Sequence, residues 1–129
     1  MKNLILMLCL TFVTGISATA QKTSQKQTTN NVKVYYFHMT HRCATCQAVE
    51  SVTKDALHEY YNDKVFFESI NIEKENDNPL LKKYKVSGQT LLIIKGDKVI
   101  DITNQAFMNA RTNPDKLKSE IKTTVDNLI

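Results

Sequence analysis

Apolar positions along the chain fall into two rhythms, and the points where one gives way to the other mark out the elements. Val32 to His38 opens with a β-branched and aromatic run, Val-Lys-Val-Tyr-Tyr-Phe, which reads as a largely buried strand. From Ala44 to about Tyr61 the apolar residues Val49, Val52, Ala56 and Tyr60 recur at helical spacing, with Leu57 beside them and Glu50 four residues before Lys54. Asn62-Asp63 breaks that helix, and Val65 to Ile72 predicts a second strand. Asn78-Pro79 has the capping chemistry of a short helix through Tyr84. A third strand over Thr90 to Ile94 and a fourth over Val99 to Thr103 flank Gly96-Asp97, a tight hairpin signal. A loop containing Phe107 and Met108 follows. Asn113-Pro114-Asp115 then caps a last helix with Leu117, Ile121, Val125 and Leu128 on one face.

The expected order is β-α-β-α-β-β-α, an α/β chain with helices on both faces of a four-stranded mixed sheet. Helical crossovers between the first and second strands and between the second and third predict parallel pairings, and the final hairpin adds an antiparallel edge strand. No internal repeat is visible.

The first residues change the picture of where this domain works. Lys2 precedes the apolar run Leu4 to Val13, which is shorter than the roughly 20 residues a membrane span requires, and Ala18-Thr19-Ala20 supplies a small-residue cleavage site. Residues 1–20 are therefore expected to be a signal peptide, and the protein to be exported, with the periplasm as its compartment. The polar stretch 21–31 reads as a flexible tether, and 32–129 as one domain. Removing the signal takes away Lys2 and no acid, so the formal charge of +4 falls by one. Lysines are interleaved with acids throughout, which gives no basic face for nucleic acid, and no span remains to hold the mature chain in a membrane.

The mature chain keeps one cysteine pair, Cys43 and Cys46, directly after the first strand and directly before the long helix. That position puts the first thiol at a helix N-terminus, where free N–H groups and the helix dipole favour thiolate over thiol. Cys46, one turn in, can close a disulfide with it. A bridge across so small a loop would be a poor staple, because it restrains little of the unfolded chain. With this strand order, a C-x-x-C after the first strand is where the thioredoxin fold carries its active site. The expected function is a thiol–disulfide oxidoreductase in which Cys43 attacks a substrate disulfide and Cys46 resolves the mixed disulfide. It needs no cofactor beyond its own redox-active disulfide, and its partner is a protein or small-molecule thiol or disulfide. Arg42 adjoins the attacking sulfur and would lower its pKa by charge; His41 would do so when protonated. A second reading stays open: His38, His41, Cys43 and Cys46 match, by ligand type, a site that binds or transfers a thiophilic metal or metalloid.

Three segments carry a resemblance. Val34 to His38 leading into His41-Arg42-Cys43-Ala44-Thr45-Cys46, then Val86-Ser87-Gly88-Gln89-Thr90-Leu91-Leu92, then Phe107 to Pro114 resemble the small thioredoxin-like proteins of the nitrophenyl compound nitroreductase subunit ArsF family. The resemblance implies a thioredoxin-like fold with a redox dithiol at Cys43 and Cys46. The family's name further implies nitroaryl reduction. That reaction normally needs a flavin, and a chain of this size with no dinucleotide fingerprint is equipped only to be the thiol partner of a flavin-bearing subunit. Ordinary thioredoxins have a cis-proline before the third strand, beside the disulfide. Here Gln89-Thr90 stands at that place, which makes both residues candidates for flanking the site.

Overall fold

The computed structural model describes residues 31–129. The signal-peptide reading of 1–20 and nearly all of the tether reading lie outside these residues. Four strands and four helices follow one another as β1 (Val32–His38), α1 (Ala44–Tyr61), β2 (Phe66–Asn71), α2 (Pro79–Lys83), β3 (Thr90–Lys95), β4 (Lys98–Asp101), α3 (Thr103–Asn109) and α4 (Pro114–Asp126). Among the described residues no helix is long and apolar enough to cross a membrane.

The strands form one sheet in the order β2-β1-β3-β4. Covered on both faces from Val34 to Phe37, β1 must be apolar on both there, which explains those four consecutive apolar residues; Lys33, near its start, is exposed. Val32, Val34 and Tyr36 pack with α1, α3 and α4 on one side. Tyr35 and Phe37 pack with Ile70, Leu92, Ile94 and the α2 segment on the other. β3 alternates in the same way, with Leu91 and Ile93 on the first side and Leu92 and Ile94 on the second. The α4 stripe is as expected: Leu117, Ile121 and Val125 are fully buried and Leu128 nearly so. The hairpin is also as expected, with Gly96 supplying the left-handed φ of 58° that its turn needs.

Two expectations need correction. β1 and β2 are parallel, but β3 runs antiparallel to β1, with Phe37 opposite Thr90 and Val32 opposite Lys95. The reason is length. At about 1.5 Å per residue, the five residues of α2 advance the chain far less than the length of a strand. The chain therefore enters β3 from the end at which it left β2. The second correction is α3, expected as a loop. β4 stops at Asp101, whose carboxylate accepts from the Thr103 N–H (2.9 Å) and hydroxyl, turning the chain out of the sheet and into a helix. Thr103, expected as the last residue of the fourth strand, instead opens α3, and its hydroxyl accepts the Leu91 N–H at 2.9 Å.

The antiparallel third strand has a local outcome. The C-terminal ends of β1 and β2, the N-terminal end of β3 and the start of α3 all meet at one end of the sheet, and that is where the C-x-x-C lies.

Candidate active site

Cys43 is the N-cap of α1, with extended backbone (φ −70°, ψ 165°), and its sulfur accepts the Cys46 N–H at 3.2 Å. Sulfur is a weak acceptor when protonated and a better one as thiolate, so this helix end favours the ionised form. No acid occupies the first turn of α1 to oppose that preference. The two cysteines are joined as a disulfide with Cα atoms 5.1 Å apart. Their exposures differ sharply: Cys43 is exposed and Cys46 is 1% exposed.

The helix start is held from beneath. The Tyr36 hydroxyl, buried in β1, donates to the Cys46 carbonyl at 3.0 Å. Burial pushes the phenol up, and Arg42 offsets part of that. The contacts of Arg42 run to Glu50, the Cys46 carbonyl and the Tyr36 ring. Its guanidinium ion-pairs with Glu50, lies within 3.5 Å of the Cys46 carbonyl and rests 5.8 Å from the centre of the Tyr36 ring. Its charge is spent on Glu50, whose other oxygen takes Lys54 at 2.6 Å. Burial alone would raise the Glu50 carboxyl; the Lys54 and Arg42 contacts outweigh it and hold the carboxyl below its ordinary value.

The loop before Cys43 is tied to the end of β2. The Thr40 N–H donates to Glu73 at 2.7 Å, and the Thr40 hydroxyl and the Asn71 amide bond one another at 3.2–3.3 Å. Hydrogen bonding from Thr40 keeps the Glu73 carboxyl below its usual range. Sequence reasoning missed Asn71 and Glu73. Neither carries a motif, and only the parallel pairing of His38 with Asn71 brings them to the loop.

Of the two residues expected at the start of β3, Gln89 reaches the pair and Thr90 supports the turn. The Gln89 side-chain oxygen lies 3.0 Å from the Cys46 sulfur. The Thr90 hydroxyl donates to the Gly88 carbonyl at 3.0 Å. The two histidines are not gathered with the thiols. His38 donates from Nδ1 to the Met39 carbonyl at 2.9 Å and its ring lies 5.8 Å from that of Tyr36, while His41 is exposed. Among the described residues no group of three or more His, Cys, Asp or Glu side chains is arranged to hold a metal ion.

No known protein family and no curated protein sequence matches the chain. Solved structures do. Mitochondrial thioredoxin 3 of Saccharomyces cerevisiae, in its oxidised form, is 22% identical with a TM-score of 0.51, over 75% of this chain and 82% of its own. The thioredoxin Deadhead of Drosophila melanogaster is 20% identical at 0.51, over 78% and 84%. Fasciola hepatica thioredoxin is 19% identical at 0.52, over 75% and 83%. At these identities the likeness establishes the fold: this is an α/β chain of thioredoxin-like architecture with a C-x-x-C disulfide after its first strand. None of these matches bears on the nitroreductase-subunit resemblance.

Proposed function

We propose that the chain is a thiol–disulfide oxidoreductase in which Cys43 attacks and Cys46 resolves. The observation that carries this reading is the asymmetry of the pair. One sulfur is exposed, caps a helix and accepts an N–H. The other is 1% exposed, close enough to form the disulfide, and out of a partner's reach. A staple has no need of that division, whereas attack followed by intramolecular displacement depends on it. Cys46→Ser is expected to accumulate mixed disulfides through Cys43 when offered a protein or small-molecule disulfide, seen as a mass increase that a reductant removes. Absence of any adduct would refute the roles.

Export to the periplasm belongs to the same proposal and rests on residues 1–20. N-terminal analysis of protein recovered from the native compartment is expected to begin at Gln21; an intact Met1 there would count against it. The ArsF resemblance adds a flavin-bearing subunit as the class of electron partner, and co-purification from the native host would test that pairing. The metal-transfer reading has no observation of its own, since the two imidazoles do not join the sulfurs.

A further inference from the structure

The contact between Gln89 and Cys46 has a chemical meaning that the disulfide form conceals. A sulfur in a disulfide has no hydrogen to donate, yet Gln89 presents its amide oxygen to that sulfur at 3.0 Å. Once the pair is reduced, Cys46 gains an S–H, and the acceptor for it is already in place. An amide oxygen accepts a hydrogen bond but takes no proton at neutral pH. The other groups bonded around Cys46 are no better placed as bases. Tyr36 and Arg42 act as donors to the Cys46 carbonyl. Glu50, one turn further along α1, has its two oxygens engaged by Arg42 and Lys54.

We propose that Gln89 holds Cys46 as a protonated thiol in the reduced and mixed-disulfide stages, so that resolution is slowed and an attached partner is kept on Cys43. This rests on the thiol–disulfide reading above. The Cys43 thiolate attacks one sulfur of a substrate disulfide, a bond forms between them, and the other half leaves as a thiolate. For the second step Cys46 gives its proton to solvent and attacks the Cys43 sulfur. The Cys43–Cys46 bond forms, the bond to the retained half breaks, and that half leaves as a second thiolate. Two electrons pass from the pair to the substrate and one proton is released. Gln89 acts on the proton loss, the event on which the second displacement waits.

The probe is 5,5′-dithiobis(2-nitrobenzoate), which releases one coloured thiolate at each step, with reduced full-length protein carrying Cys9→Ser. Two releases are expected, the second slower. Gln89→Ala is expected to raise the ratio of the second rate to the first by about 2- to 10-fold, the effect of losing one hydrogen bond. An unchanged or lower ratio overturns the proposal. A second measurement reads the contact itself. In reduced Cys9→Ser/Cys43→Ser protein the Raman S–H stretch of Cys46 is expected at the lowered frequency of a bonded thiol, and Gln89→Ala should return it to the free position. A free-thiol band with Gln89 in place also overturns the proposal. Failure of the first thiolate release would instead sink the parent reading, and the S–H band would still decide the role of Gln89.

Discussion

Arg42 and Glu50 show how one pairing changes a residue's expected role. Adjacent to Cys43 in sequence, Arg42 reads as an electrostatic aid to it; in the fold it pairs with Glu50 and is only 25% exposed, with its Nε buried and unpartnered. Replacing Glu50 by Gln removes the anion that balances this guanidinium and is expected to lower stability by about 1–2 kcal/mol at neutral pH, measured by urea denaturation. The pH dependence follows from the sign of the shift. The folded carboxyl is held below its ordinary value, so its contribution is fully present above about pH 4.3 and is lost as pH falls through the lower folded value. Wild type and Glu50→Gln should therefore converge in acid; a difference that persists undiminished there would show that the ion pair is not its source. The spacing of Glu50 and Lys54 announced their contact, because it is local to one helix. The Arg42–Glu50 pair and the Thr40–Glu73 tie had no such signal, since each depends on how a loop folds back.

Helices and strands were legible where a long periodic pattern or a capping or turn signal marked them, as Asn78-Pro79 did for the five-residue α2. α1, α4 and the β3–β4 hairpin follow directly from period and turn chemistry, while the seven-residue α3 was hidden. Its buried face is supplied by Ala106, with Ala110 just beyond its end, too small a hydrophobic signal to stand out from a loop. The end of α1 offers a test at this scale. Asn62 takes the left-handed conformation (φ 49°) and closes the last turn by donating to the His58 carbonyl at 3.0 Å. His58, in that turn, bonds Asp63 at 2.7 Å, which raises the imidazole pKa. The added support for this helix end is thus fully present below the ordinary histidine value of about 6.5 and disappears as pH rises through the raised one. An NMR titration is expected to place His58 above that ordinary value, and Asp63→Asn to bring it back; equal values in both proteins would remove the contact from the account.

For the molecule as a whole, composition and element order were enough to give the fold class, but not the direction of β3. Crossover reasoning assumes that a helix spans the sheet, and α2 is too short to do so. The resulting order β2-β1-β3-β4 puts two apolar strands in the middle and leaves β2 and β4 at the edges. Amide exchange should follow that arrangement, slowest at residues such as Tyr36 and Ile93, which are 0% exposed, and faster in β4, whose side chains are mostly exposed. Uniform protection across all four strands would contradict it. The reversed third strand also bears on when the chemistry becomes possible. Cys46 and Gln89 lie 43 positions apart, and Thr40 and Glu73 lie 33 apart, so no short stretch of chain contains the arrangement. Before folding, the two cysteines are ordinary thiols with nothing to tell them apart; only the closed sheet leaves Cys43 exposed at its helix start and buries Cys46 beside Gln89. Under the proposed roles, a partner that engages this pair is, in effect, checking that the whole domain has been built.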